Sequence, residues 1–382
     1  IETGIPRMTG TAGQKRVPTE YFTTSPFPLP PLAEQRRIVA KVDELMGLLD
    51  RLEATRDARE SVRDRLTNTN LARLTTLAST DDDARDQARL ALDTLPALTA
   101  RPDQIQLLRQ TIIHLGVHGK LVNQDPADEP ASELLNRIAH YRQELLDSGY
   151  PNSAEARTQK QKQEKQDTPN DLPTIPPGWS WATLMQCSLM VIDCKNKTAP
   201  YASSGIKLIR TTNVRNGRLN TKEQKFVSEA TYRAWTARAE PQPGDILITR
   251  EAPMGEVCIV PEGERICLGQ RMMLARSIPG TIDVHFMLYS LRDPHLMQRV
   301  QDKPLGTTVE HLRVGGVETL LVPVPPLPEQ RRIVESLDNL MGLCDRIEAA
   351  LTTAERARGD LLGALLTETL ESGGYVDRDA AE

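Results

Sequence analysis

The side chains best suited to recognition chemistry lie between residues 195 and 225: Lys195, Lys197, Lys207, Arg210-Thr211-Thr212-Asn213, Arg215-Asn216-Gly217-Arg218, Lys222 and Lys225. Arg and Asn make paired hydrogen bonds to guanine and adenine edges, and lysines at turns suit phosphates. A solvated charged hairpin has the same composition, so the run alone leaves both readings open. Arg250 and Gln270-Arg271 fall in turns between expected strands, and Thr307, Thr308, His311 and Arg313 would present hydroxyls, an imidazole and a guanidinium from a loop. Residues 180–322 hold 18 Lys and Arg against 14 Asp and Glu, a net of +4, while the rest of the chain carries −9. The formal charge of −5 therefore averages over a basic segment and an acidic remainder.

Constellations for covalent chemistry are missing. Gly116-Val117-His118-Gly119-Lys120 lacks the spacing of a phosphate-cradling loop, and there is no G-x-G-x-x-G, no G-x-S-x-G and no Asn/Asp-Pro-Pro-aromatic segment. Asp193 with Glu223-Gln224-Lys225 is too common a combination in a charged chain to mark a nuclease. His114 and His118 sit four apart on an expected helix and could ligate a metal, but no third ligand of suitable spacing lies near in sequence. The expectation is no catalytic residue, no metal and no cofactor bound by this chain. Cys187, Cys194, Cys258, Cys267 and Cys344 form an odd set without a C-x-x-C pair, as expected of free thiols in a reducing cytoplasm. No apolar run approaches the ~20 residues of a membrane span.

The elements that must position these groups follow from an internal repeat. Pro28 to Ala54, PLPPLAEQRRIVAKVDELMGLLDRLEA, returns 295 residues later at Pro323 to Ala349 as PVPPLPEQRRIVESLDNLMGLCDRIEA, with 19 of 27 positions identical. In each copy the prolines end an extended segment, and an acidic residue, Glu34 or Glu329, falls in the first helical turn. Apolar residues then recur in steps of three and four: Ile38, Val42, Leu45, Leu49 and Leu52 in one copy, and Ile333, Leu337, Leu340, Cys344 and Ile347 in the other. This predicts two amphipathic helices of roughly 40 residues, ~60 Å long, each needing a partner, for which the other copy is the obvious candidate.

Between the copies, residues 79–95 are acidic and turn-rich, Asp103 to Val122 and Pro130 to Leu146 read as shorter helices, and residues 152–176 read as a polar, solvated linker. From Trp179 the pattern turns to short β-rich runs (GIKLIRTTNV, GDILITR, EVCIV, ETLLVPV) with a helix near Val284 to Val300. The expected class is α+β: a globule with a mixed sheet plus long amphipathic helices paired as an antiparallel coiled coil. Gly10 to Val17 echoes Gly306 to Val314, so residues 1–27 read as the end of another such globule. The start at Ile1 fits a fragment, a natural truncation or a half-length subunit.

Two Pro-Pro-Leu-x-Glu-Gln-Arg-Arg-Ile-Val helices, the segment GKLVNQDPADEPASELLNRI (Gly119 to Ile138) and the PPGWSW run (Pro176 to Trp181) resemble the specificity subunits of type I restriction-modification systems. The resemblance covers nearly the whole chain. It implies a remnant of a first target-recognition domain at 1–27, spacer helix 1 at 28–78, connecting helices and linker at 79–171, a second target-recognition domain at 172–322, spacer helix 2 at 323–372 and a tail at 373–382. It also implies that the chain reads half of a split site in double-stranded DNA. Two modification subunits carrying S-adenosylmethionine and a translocating restriction subunit would be its partners. The competing reading is a coiled-coil adaptor whose globule binds protein.

Overall fold

A computed structural model describes residue 8 and residues 16–26, 28–76, 101–295, 300 and 312–373. By internal contacts the chain divides into Ile1–Arg65 and Leu66–Glu382. The division falls within one helix. No described helix is long and apolar enough to cross a membrane.

The first unit holds α1 (Thr19–Thr24) and most of α2 (Leu32–Thr76), a 45-residue helix. Its start is locally encoded: the Gln35 amide Nε2 donates to the Pro30 carbonyl at 2.8 Å, closing the extended proline run against the first turn. The predicted seam is exposed, with Ile38 at 48%, Val42 at 49%, Leu45 at 52%, Leu49 at 50% and Leu52 at 60%. The last strands of a globule were expected over residues 1–27. Among the described residues that stretch holds α1, because Thr19 to Thr24 follow a proline and close helical bonds, with the Thr23 and Thr24 hydroxyls donating to carbonyls one turn back.

The second unit is α+β. Its helical part contains α3 (Pro102–Val117), α4 (Ala131–Asp147) and α5 (Ser153–Gln163). α3 begins on a proline at the first helical position with Asp103 in the first turn, the order that suits a helix start. The linker expected at 152–176 is corrected over its first half. Asn152 caps α5 by accepting from the Glu155 N–H at 3.0 Å, and buried Gln159 exchanges two 3.2 Å hydrogen bonds with the Val191 backbone. A side-chain amide thus does for the Val191 edge what another strand would do. Apolar content alone could not reveal that attachment.

The sheet part is built from β1 (Ser180–Thr183), β2 (Met190–Asp193), β3 (Ile206–Ile209), β4 (Val214–Arg215), β5 (Arg218–Leu219), β6 (Lys225–Val227), β7 (Ile246–Thr249), β8 (Val257–Ile259), β9 (Ile266–Leu268), β10 (Met272–Arg276) and β11 (Leu321–Val324). The short helices α6 (Leu184–Cys187), α7 (Glu229–Trp235), α8 (Val284–Leu291) and α9 (Val314–Glu318) pack among them, and α10 (Leu327–Gly373) follows. β2-β10-β7-β8 form an antiparallel sheet, β6-β3-β9 a mixed one in which β3 and β9 run parallel, and β4-β5 a hairpin. β1 pairs antiparallel with β11, Ser180 opposite Val324, so the globule is closed by its own first and last strands. Nearly continuous burial along β7, β10 and β11 explains why they read as unbroken apolar runs.

The seam of α10 is covered at its start, with Ile333 and Leu337 fully buried and Cys344 at 1%. The cover is α3, whose Ile105, Leu108 and Ile112 share one core with them, together with Trp179 and Phe286. A Cβ on Gly116 would lie 3.0 Å from the Leu337 side chain, so glycine there permits the close approach. Over this stretch α10 packs on α3. Farther along α10, Leu361, Leu362, Leu365 and Leu366 are exposed.

Candidate nucleic-acid interface

Asn216-Gly217 joins β4 to β5 with both residues at positive φ (52° and 80°), the backbone of a tight two-residue hairpin turn. Glycine is required twice over at 217, because a Cβ there would also stand 2.9 Å from Nη1 of Arg292. The turn exposes the side chains of Asn216 and Arg218, while Glu256 accepts from the Asn216 N–H at 2.8 Å and anchors the tip.

Other members of this run hold the hairpin in place. Asn213 is fully buried, and its amide donates to the Asn220 carbonyl at 2.9 Å and the Lys222 carbonyl at 3.2 Å. The expectation that it contacts DNA is corrected: an amide committed inside the turn has no face left for a base. Arg210 Nη2 donates to the Glu223 carbonyl at 3.0 Å, and Arg215 Nη1 donates to the Thr211 carbonyl at 2.7 Å. Thr211 is half-buried under that contact.

Backbone hydrogen bonds bring most of the remaining candidates to one end of the globule. Gly269, just after β9, donates to Ile209 at the end of the parallel strand β3, which sets Gln270-Arg271 beside Arg210. The Arg250 N–H donates to the Arg271 carbonyl at 2.9 Å, and the Leu312 N–H donates to the Arg250 carbonyl at 2.9 Å, placing Arg313 next. Cys194 donates to the Met272 carbonyl, so Lys195 follows on the other side. The result is a band of Lys195, Arg271, Arg250, Arg313 and Arg210 on five separate segments whose backbones adjoin, with Arg210 and Arg250 half-buried. Within it Lys195 lies over the Trp235 ring at 4.5 Å, Arg271 is paired with Glu251, and Arg250 Nη1 also holds the Leu312 carbonyl. Lys197 is exposed in the loop after Lys195. Lys207 is drawn off the band by Glu264, at 2.6 Å. Thr307, Thr308 and His311 lie outside the described residues.

The hairpin also forms one wall of an open cleft of about 1530 Å³ that α3, α8 and α10 complete. The acidic groups of that cleft are engaged. Asp345 and Glu348 pair with Arg109 at 2.7 and 2.8 Å, and Asp338 accepts from the Tyr289 hydroxyl at 2.6 Å. Burial and that acceptor push the Tyr289 phenol above its ordinary range, so it stays a donor. Arg218 and Lys222 line the cleft with exposed side chains, and Arg292 stands behind the hairpin, its guanidinium pushed below its usual range by burial. Counting charges per segment could not find Arg292, since it sits in an apolar helix end and its role depends on the approach of Gly217.

All five cysteines are buried free thiols, and burial pushes Cys187, Cys258 and Cys267 up to about 12, so none is a nucleophile at neutral pH. The histidine pair has a companion that sequence spacing could not supply: Asp293 lies against His114, with Nδ1 to Oδ1 at 3.1 Å.

Comparison with known proteins agrees with this geometry. Residues 195–354 match the family model of the type I restriction modification DNA specificity domain, a span that opens at Lys195 and ends within α10. The type I restriction enzyme EcoAI specificity subunit of Escherichia coli is 31% identical over 373 residues, covering 96% of this chain and 61% of that protein. The EcoEI specificity subunit of Escherichia coli is 28% identical over 383 residues, covering 97% of this chain and 62% of that protein. The chain thus spans about six tenths of the length of both relatives. Among solved structures, the HsdS subunit from Thermoanaerobacter tengcongensis aligns over 94% of this chain and 66% of its own, at 19% identity and a TM-score of 0.36. Residues 195–354 thus match the type I restriction modification DNA specificity domain, and nearly the whole chain is similar in sequence to the EcoAI and EcoEI specificity subunits.

Proposed function

We propose that the chain reads DNA for a type I restriction-modification complex, with residues 172–322 contacting one half of a bipartite site and α2 and α10 serving as spacer and docking helices. The observation that carries this reading is the band of cations from five segments at one end of the globule, beside a hairpin whose tip presents Asn216 and Arg218. Guanidinium and amide groups on a rigid turn suit a groove edge, and the flanking cations suit phosphates. The acidic remainder of the chain repels DNA and suits protein contacts. In this reading methyl transfer and cleavage belong to partners: two modification subunits that bring S-adenosylmethionine, and a restriction subunit. The exposed seam of α2 and the exposed leucines of distal α10 are the apolar surfaces available for those contacts or for each other.

Binding to duplex DNA measured across a salt series tests the surface. Arg218→Ala and Arg313→Ala, both exposed, are each expected to weaken binding and, where a phosphate contact is lost, to lower the salt slope by ~0.9. Lys207→Ala is expected to leave both unchanged, because Glu264 already holds that ammonium. Unchanged slope and affinity in both arginine variants would remove this face from the interface. A chain that binds no duplex at all would leave the adaptor reading in its place.

A further inference from the structure

We propose that His114, His118 and Asp293, with His295 at the rim, bind a zinc-class divalent transition-metal ion that ties α3 to the turn following α8. The candidate ligand atoms of His114, His118 and Asp293 all lie within 4.8 Å of one another. Tetrahedral zinc with ligands at ~2.0–2.1 Å needs them roughly 3.4 Å apart, so loading would draw the ligand atoms closer together.

The His118 tautomer suits a ligand. His118 Nδ1 faces the His114 carbonyl at 2.8 Å. A carbonyl oxygen only accepts, so Nδ1 carries the proton and Nε2 presents its lone pair, the form that binds metals. His114 and His118 are one helical turn apart on one face, with ring centroids 3.9 Å apart. The His295 ring stands edge-on to His114 at 4.8 Å, and the His295 backbone N–H donates to Asp293 Oδ1 at 3.2 Å. The Asp293 side chain is fully buried.

A single histidine hydrogen-bonded to an aspartate would suffice for packing. Here two imidazoles of one helix and a buried carboxylate of a separate element come together, a mixed nitrogen and oxygen set of the kind divalent zinc takes. A dication neutralises a carboxylate that burial otherwise makes costly. His118 and His295 are half-buried, so the side of the cluster nearest solvent is theirs. Because α3 and α8 both pack on α10, the ion would lock the rear wall of the open cleft.

The test uses the whole chain, stripped with a chelator and titrated with Co²⁺ and then Zn²⁺. The expected result is one Co²⁺ per chain with visible d–d absorption, displaced by Zn²⁺, and a melting temperature that rises on loading. His118→Gln and the isosteric Asp293→Asn are each expected to weaken binding by at least ~10-fold, while His140→Gln, on the exposed face of α4, binds as the parent does. Melting in EDTA checks that the variants are folded. Absence of stoichiometric Co²⁺ binding by the unmutated chain overturns the site without reference to any variant. So does undiminished binding in both folded variants.

Discussion

The two copies of the repeated helix start share 19 of 27 residues and live in different surroundings. In the second copy, Glu329 accepts from Trp179 Nε1 at 3.1 Å, Gln330 accepts from the Asp283 N–H at 2.8 Å, and Arg332 pairs with Asp128 at 2.7 Å. The matching residues of the first copy, Glu34 and Arg37, are exposed, and Gln35 is half-buried. Only the local brace is common to both: Gln330 Nε2 donates to Pro325 at 2.9 Å as Gln35 Nε2 does to Pro30 at 2.8 Å. The likeness also extends upstream, since α1 and α9 begin 295 residues apart, at Thr19 and Val314. What makes one copy a core helix is therefore supplied by Trp179, Asp283, Asp128 and α3. The repeated sequence supplies a helix start able to accept such partners.

The sharpest way to break this comparison is to truncate the same seam position in each copy. Leu337→Ala is expected to destabilise the chain by about 2–5 kcal/mol, and Val42→Ala by less than about 0.5 kcal/mol, both read by denaturant unfolding. Equal losses would mean that both seams are equally covered.

Next in size is a pH effect confined to the second copy. Burial pushes the Glu329 carboxyl up to about 7 from 4.5. A raised carboxyl favours its protonated form in the folded chain. Its stability contribution is therefore full below about pH 4.5 and is lost as the pH rises through about 7. The loss is on the order of 3 kcal/mol. Glu329→Gln should flatten the stability profile across that window and stabilise the chain at pH 8, whereas Glu34→Gln should leave the profile unchanged. A profile that Glu329→Gln does not alter would assign the titration elsewhere.

The smallest difference concerns the brace. Gln330→Ala strands the half-buried Asp283 N–H as well as releasing the buried Pro325 carbonyl, and should cost about 1–3 kcal/mol. Gln35→Ala removes one half-buried bond and should cost about 0.5–1 kcal/mol. Thermal melts of the two variants, compared in one buffer, decide whether the second bond matters.

The same contrast explains what was legible in the sequence. The long helices, the α+β class and the Asn216-Gly217 hairpin rest on periodicity and turn chemistry within a few residues, and each is present. Contacts made across long separations were not legible. α3 covers α10 through residues more than 200 positions apart, Gln159 holds an edge 32 residues away, and Asp293 meets His114 across 179. Among the site residues, type and spacing located the cationic run but could not separate Asn213, spent inside its turn, from Asn216 at the tip. Burial decides that, and it belongs to the folded surroundings.

One consequence follows from the pairing of β1 with β11. Because the strand that leads into the globule is hydrogen-bonded along its length to the strand that leads out, the flanking helices are joined through a fixed two-stranded neck. The distance between the neck's two ends is therefore set by the pairing itself, and not by the length of the loops beyond it. Changes at the Asn216-Gly217 tip, which belongs to neither neck strand, would thus leave the neck's two ends at their present spacing.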